Sequence, residues 1–170
     1  GIDNTVIVYE QPILFRKGEP IEFVYPSKNL HFLIADSGIK KATADTVAYL
    51  AQQLERNPQL IEAALTEIGN IALFGTNAFE QGDLSALGEA MNANQALLAQ
   101  LDLSCEALEK LIVAARQAGA LGAKLTGGGK GGNMLALVTP ETQEAVRKAL
   151  VSAGAVSIYQ TNLKGVQDND

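Results

Sequence analysis

The stretch from Gly127 to Gly132 holds five glycines in six positions, and no other feature of the sequence constrains the fold as strongly. Such a run does not form a packed helix or strand, but its backbone can adopt positive φ and expose successive N–H groups. Exposed N–H groups in a turn form a concave anion site, because no Cβ stands in the way. An apolar segment, Met134 to Val138, follows at once and predicts a strand. We therefore interpret the run as an anchored loop that approaches an anion, and its alternative is a flexible linker.

The composition limits the class of partner. The chain has 170 residues with a formal net charge of −6, which argues against nucleic acid because a phosphate backbone requires a basic surface. One small anion is still compatible with this charge, since it needs only a local basic or N–H-rich site. Cys105 is the single cysteine, so no disulfide forms within the chain, and we expect a cytoplasmic protein. No apolar run approaches the length of a membrane span, so we expect no membrane partner.

Hydrophobic periodicity predicts the order hairpin, strand, four helices, two strands, helix and strand. The hairpin is expected within residues 13–24 and the first long strand at 30–35. Thr43 and Thr139 are expected to cap helices, the second of them with Pro140 at the first helical position. Hairpin-linked strands with segregated helices predict an α+β fold with a largely antiparallel sheet.

Several common chemistries do not fit the residues that the sequence provides. His31 is the single histidine, it lies in an apolar strand, and we interpret it as a residue of the core or of the sheet face. One cysteine and one histidine do not make a usual zinc site, and we assign no metal-ligating residue. The glycine run is not a Walker-type loop, because no Gly-Lys-Ser/Thr opens a helix after it. It is not a dinucleotide fingerprint either, because a strand follows it.

Four stretches resemble, in order, the conserved segments of the GHMP small-molecule kinases, in their mevalonate kinase form. The patterns are S-G-hydrophobic-D-N, D-T/S-G-x-x-R/K-x-T, M-x-x-N-Q-x-L-L with L-G-V-S after it, and K-L-T-G-A/G-G-G-G-G-C. In this chain they read Gly1-Ile2-Asp3-Asn4, Ala35-Asp36-Ser37-Gly38-Ile39-Lys40-Lys41-Ala42-Thr43, Met91-Asn92-Ala93-Asn94-Gln95-Ala96-Leu97-Leu98 with Leu101-Asp102-Leu103-Ser104, and Lys124-Leu125-Thr126-Gly127-Gly128-Gly129-Lys130-Gly131-Gly132. The serine of the first pattern is missing, and Asn133 stands where the last pattern has cysteine.

The resemblance implies a domain division. The family's first motif and its P-x-x-x-G-L-G-S-S-A phosphate loop lie upstream of the segment that begins here at Gly1. We therefore expect residues 1–27 to be the remnant of an N-terminal kinase domain. Residues 28–170 are expected to form the family's C-terminal domain, a ferredoxin-like α+β sandwich with an antiparallel sheet and several helices.

The resemblance also implies an activity, which is transfer of the γ-phosphoryl group of ATP, with magnesium, to a hydroxyl of mevalonate. Asp3 matches the carboxylate that accepts or orients the hydroxyl proton in such transfers. Its alternative role is a solvated helix cap near the chain end. The loop residues are expected beside the nucleotide phosphates: Gly127, Gly128, Gly129, Lys130, Gly131 and Gly132.

Three further residues carry two interpretations each. Lys130 replaces a usual glycine, and either reaches a phosphate as a point charge or is a solvated loop cation. Lys41 and Thr43 match positions on the substrate side, and their alternatives are a surface lysine and a helix cap. We interpret Asn94 and Gln95 as structural polar residues.

Other functions stay open at this point. One is a sibling kinase that acts on phosphomevalonate, homoserine or a sugar, and another is a non-catalytic α+β module that binds a metabolite. The isolated chain is expected to be inactive, because the upstream phosphate loop is absent from it. A homodimer is a further open alternative, because without the N-terminal domain the sheet and helix faces that meet it are exposed, which favours self-association.

Overall fold

The computed structural model describes residues 7–40 and 43–166, and for Thr43 it describes the backbone alone. From Ile13 onward, the chain forms a two-stranded hairpin, one strand, four consecutive helices and a strand–strand–helix–strand segment. The strands are β1 (Ile13–Leu14), β2 (Glu22–Phe23), β3 (Leu30–Asp36), β4 (Gly122–Leu125), β5 (Asn133–Val138) and β6 (Ser157–Leu163). The helices between residues 43 and 152 are α1 (Thr43–Arg56), α2 (Pro58–Gln81), α3 (Leu84–Gln100), α4 (Glu106–Gln117) and α5 (Gln143–Ser152).

The larger sheet has four strands in the order β4-β5-β3-β6, and every neighbouring pair is antiparallel. Strand β3 is central, because it pairs with β5 from His31 to Asp36 and with β6 along its whole length. The end of β3 is therefore beside the start of β5, which is where the glycine run ends. The predicted α+β fold with an antiparallel sheet is confirmed.

Helices cover both faces of this sheet. On one face, α4 and α5 bury Leu108, Ile112 and Leu150 against strand residues such as Met134. On the other face, α2 and α3 pack against Phe32 and its neighbours, with Met91, Phe79 and Leu87 in the contact. Alternate residues of each strand are thus buried under the helices on opposite faces of the sheet. This explains why β3 and β5 are almost continuously apolar.

Two predicted boundaries are wrong. Helix α5 begins at Gln143, not at Thr139 with Pro140, because Thr139 and Thr142 close a separate turn in front of the helix. The Thr139 carbonyl accepts the amides of Thr142 and Gln143, and the Thr142 hydroxyl accepts the amide of Thr139. The last strand is predicted from the sequence at residues 155–159, but β6 runs from Ser157 to Leu163 because β3 offers it a full-length partner.

Two glycines allow α3 to approach the first residue of β4 very closely. A Cβ on Gly88 would lie 2.4 Å from the Leu121 carbonyl oxygen, and one on Gly122 would lie 2.4 Å from the Gly88 carbonyl oxygen. Both contacts are with backbone, so neither side can yield by changing a rotamer. This close approach places α3 directly over the strand that leads into the glycine run.

We expect Gly88→Ala to destabilise the fold by about 3 kcal/mol, because the added methyl overpacks a backbone contact. The matched control is Gly69→Ala on α2, where a Cβ meets nothing within 4 Å. Alanine there is expected to stabilise by about 0.5–1 kcal/mol through helix propensity alone. Urea unfolding of both variants measures the difference, and equal shifts of the two midpoints would contradict the assigned contact.

Within residues 7–40 and 43–166, none of the helices has the length and apolar character needed to cross a membrane.

Candidate active site

Three connections meet at one end of the four-stranded sheet. They are the glycine loop (residues 126–132), the β3–α1 segment (residues 37–40) and the α3–α4 turn (residues 101–105). The Ser37 amide donates to the Gly132 carbonyl at 2.9 Å, and the Gly132 amide donates to the Ile39 carbonyl at 2.8 Å. On the other side, the Lys130 amide donates to the Leu103 carbonyl at 2.8 Å. The loop is thus bonded to both neighbours, which agrees with an anchored loop and excludes a linker.

Glycine is required where the loop touches these neighbours. Gly129 has φ +82°, and a Cβ on it would lie 2.1 Å from the Leu103 carbonyl oxygen. Gly131 has φ +144°, and its Cβ would lie 2.5 Å from the Ile39 carbonyl oxygen. The run therefore combines backbone conformations that side chains disfavour with contacts that exclude a methyl group.

A cavity of about 380 Å³ opens beside the loop. It is lined by Asp36, Ile39, Lys40, Thr126, Gly127, Gly128, Gly129, Gly131, Gly132 and Asn133. Among residues 7–40 and 43–166, no acceptor is hydrogen-bonded to the amides of Gly127, Gly128 or Gly129. Free amides on a positive-φ turn are suited to an anion, and Lys40 adds a positive charge to the lining.

Strand β4 carries the loop and is held by two side chains of α3. Asn92 accepts the Ala123 amide at 3.0 Å and donates to the Leu121 carbonyl at 3.2 Å. Gln95 is 2% exposed, accepts the Leu125 amide at 2.8 Å and donates to Glu109 at 2.7 Å. The side chains occupy the edge where a fifth strand would pair, so the loop starts from a fixed position. The structural interpretation of Gln95 agrees with these contacts.

Lys130 has the only side chain between Gly127 and Gly132, and it points to the α3–α4 turn. Its ammonium pairs with the Asp102 carboxylate at 2.5 Å and lies 4.3 Å from the centroid of the Tyr49 ring. Two hydrogen bonds lower the pKa of Asp102 below its usual 3.8, and the one from Lys130 has a larger effect than the one from Tyr49. The pair therefore stabilises the fold above that pH, and its contribution is lost as the pH falls through the lowered pKa.

Lys124, the lysine of the K-L-T pattern, lies apart from this cavity. Its ammonium donates to the Leu125 carbonyl at 2.8 Å, and burial lowers the pKa of the Lys124 side chain. Lys124 lines a separate groove, whose other lining residues belong to the hairpin and to helices α2 and α3.

The structure brings part of the predicted site together. Five of the six predicted loop residues line the cavity: Gly127, Gly128, Gly129, Gly131 and Gly132. Lys130 belongs to the same loop, but its ammonium contacts Asp102 and Tyr49. Asp3 and Lys41 lie outside the described residues, and so does the Thr43 side chain. The Thr43 backbone is the first residue of α1.

Sequence reasoning assigned no role to four residues that the structure places in or beside this site. Asp36 and Lys40 line the cavity, and Asp36 accepts the Gly38 amide at 2.8 Å. Both residues belong to the stretch that resembles the D-T/S-G-x-x-R/K-x-T pattern, so the sequence could have indicated them. Asp102 stands at the glycine position of the L-G-V-S pattern, but the pattern did not indicate its partner. Tyr49 lies outside the four resembling stretches, and both residues reach Lys130 only through the fold. Asp102 has φ +55°, which is uncommon for a residue other than glycine.

The two residues set aside for other chemistries lie apart from each other. His31 Nδ1 is 2.9 Å from the Asn162 Oδ1 on β6, so it is a sheet-face residue as expected. Cys105 is the N-cap position of α4. Among the described residues, no group of three His, Cys, Asp or Glu side chains is placed to hold a metal ion.

Comparison with known proteins agrees with this architecture. Residues 76–156 match the family model "GHMP kinases C terminal". The mevalonate kinase of Pyrococcus horikoshii is 32% identical over 98% of this chain and 51% of its own length. That of Aeropyrum pernix is 38% identical over 81% of this chain and 43% of its own length. The chain therefore spans about half the length of the curated relatives it matches.

Solved structures give the same correspondence. The crystal structure of L. major mevalonate kinase in complex with R-mevalonate superposes with a TM-score of 0.92 at 30% identity. It covers 97% of this chain, and this chain covers 52% of it. The Methanococcus jannaschii mevalonate kinase has a TM-score of 0.76 at 23% identity, which supports the fold alone. By sequence and by fold, the chain belongs to the GHMP kinases and corresponds to the C-terminal half of their mevalonate kinase members.

Proposed function

We propose that this chain is the C-terminal part of an ATP-dependent mevalonate kinase. The observation that carries the proposal is that Gly127, Gly128 and Gly129, whose amides have no acceptor among the described residues, line a cavity of about 380 Å³ in a fold shared with that enzyme. Phosphoryl transfer depends mainly on positioning and on stabilisation of negative charge. Preorganised N–H donors provide both, because they need not reorient during the reaction.

Each residue of the proposed site has a distinct task. The three free amides donate to nucleotide phosphate oxygens, and Lys40 adds charge at the same cavity. Asp3 accepts or orients the proton of the mevalonate hydroxyl, so that the oxygen can attack phosphorus. We assign Lys41 and Thr43 to the substrate side from the resemblance, with Lys41 as the positive charge for the mevalonate carboxylate.

The donor set of the cavity suits ATP with magnesium. Magnesium in such sites takes one or two protein carboxylates and completes its shell with phosphate oxygens and water. Asp36 is the single carboxylate in the cavity lining, so the lining itself does not form an all-protein metal cage. When bound, magnesium neutralises charge that develops on the transferred phosphoryl group.

The wider assignment follows from the same proposal. We place the enzyme in the cytoplasm, in isoprenoid precursor synthesis, with mevalonate and ATP as its small-molecule partners. A homodimer is compatible with the exposed apolar side chains of α2, among them Leu73 and Phe74.

The test is a substrate panel with the full-length protein that carries this chain. Mevalonate, phosphomevalonate, homoserine and galactose are each offered with ATP and magnesium, and release of ADP is measured. We expect turnover with mevalonate to exceed that with the other three by at least about 100-fold, and the isolated 170-residue chain to be inactive. Preference for another acceptor would assign a sibling kinase, and folded protein that phosphorylates none of them would favour a binding module.

A further inference from the structure

We propose that Lys130 is a positioning residue that latches the glycine loop to α1 and to the α3–α4 turn. The inference rests on the proposed function, and it concerns a residue that sequence comparison leaves open. The latch consists of three side chains: Lys130 on the loop, Asp102 on the turn and Tyr49 on α1.

The geometry gives Lys130 three simultaneous contacts. Its backbone amide donates to the Leu103 carbonyl at 2.8 Å, and its ammonium contacts both the Asp102 carboxylate and the Tyr49 ring. The Lys130 side chain is 24% exposed although it is on a surface loop. A lysine stem often lies against the surface while its ammonium stays in water, whereas the Lys130 ammonium itself is paired with Asp102 and lies over the Tyr49 ring.

The backbone at both ends of the pair supports the same interpretation. Lys130 has φ +58° and Asp102 has φ +55°, and both are in the left-handed region. Side chains rarely adopt this conformation, and it persists where surrounding contacts determine it. The Asp102 conformation belongs to the turn that ends α3, in which the Leu103 amide donates to the Leu98 carbonyl and the Asp102 amide donates to the Ala99 carbonyl. Lys130 therefore pairs with a carboxylate whose backbone is already fixed by the helix end.

The position of the latch explains what it does for the loop. The remaining residues from Gly127 to Gly132 are glycines, which lose more conformational freedom on ordering than any other residue. Lys130 provides the loop's one side-chain attachment, on a turn that does not line the cavity. The free amides of Gly127, Gly128 and Gly129 are therefore held in place before a ligand arrives. A preorganised site binds more tightly, because the ligand does not bear the cost of ordering it.

The test compares Lys130→Met with Lys130→Arg. The first removes the charge and keeps the stem, whereas the second keeps a cation that can still meet Asp102 and Tyr49. Hydrogen exchange of residues 126–133 is measured on the full-length protein, and KM for ATP and kcat are measured separately. We expect Lys130→Met to speed exchange of the loop and to raise KM for ATP, each about fivefold, given the strength of an exposed ion pair and a cation–π contact. Lys130→Arg is expected to recover most of both effects, and kcat to change less than twofold.

Lys148→Met is the matched control, because Lys148 pairs with Glu144 on the surface of α5. It is expected to change neither readout. Unchanged loop exchange and unchanged KM in Lys130→Met would overturn the latch. If the full-length protein binds ATP but has no kinase activity, the proposed function fails, while exchange still decides on the latch.

Discussion

Replacement of Asp3 by asparagine is expected to lower kcat of the full-length enzyme by about 10²–10⁴-fold, the usual contribution of a general base. Asparagine keeps the size of the side chain, but it cannot accept the proton of the mevalonate hydroxyl. The affinity for ATP is expected to change little, because the phosphates are assigned to the amides of the glycine loop. Steady-state kinetics with mevalonate and ATP varied separately measure both quantities.

Asp83→Asn is the control for this substitution. Asp83 caps α3 by accepting the Ala86 amide, and asparagine is an equally good cap. We expect Asp83→Asn to retain full activity. Turnover at the level of the unmodified enzyme in Asp3→Asn would remove Asp3 from the mechanism and restore its alternative role as a helix cap.

The second large effect is expected from Gly129→Ala, compared with Gly127→Ala. Both glycines have φ +82°, so alanine carries the same backbone strain at either position. Only at Gly129 does the new Cβ meet the Leu103 carbonyl oxygen, at 2.1 Å, whereas at Gly127 it meets nothing within 4 Å. Alanine at Gly129 must therefore push the loop away from the α3–α4 turn and break the hydrogen bond between the Lys130 amide and Leu103.

We expect Gly129→Ala to lower kcat/KM for ATP by at least about 100-fold, because displacement of a positioned group by about 1 Å has this effect. The overpacking also destabilises the fold by about 1–3 kcal/mol. Gly127→Ala is expected to lose less than tenfold in kcat/KM, because it carries only the strain of the left-handed region. Equal losses in the two variants would show that conformation alone, and not the contact with Leu103, explains the glycine at position 129.

The sequence predicted the order of elements because the periodicities are strong. The apolar run at residues 30–35 became the central strand of the sheet, and the four consecutive predicted helices became α1 to α4. The prediction was wrong where one short sequence pattern is compatible with two local structures. Thr139 and Pro140 resemble a helix start, yet the turn with Thr142 uses the same hydroxyl and carbonyl groups.

Only those parts of the site that are contiguous in the sequence could be predicted. The glycine loop could be identified because glycines report their conformational requirement directly. The latch could not be predicted, because Tyr49, Asp102 and Lys130 are far apart in the chain and meet only through the packing of α1, α3 and the sheet. The role of Asn92 was hidden for the same reason, since it resembles any polar residue on a helix until the strand edge it covers is known.

The assignment of the glycine loop to phosphate binding is tested most directly by amide NMR of the full-length protein with a non-hydrolysable ATP analogue and magnesium. We expect the largest changes in amide chemical shift at Gly127, Gly128 and Gly129, with slower exchange of these protons in the complex. Residues around Gly88 and Gly122 are expected to be unaffected. A complex that is saturated with the analogue, but in which these three loop amides do not change, would contradict the assignment of the loop to phosphate binding.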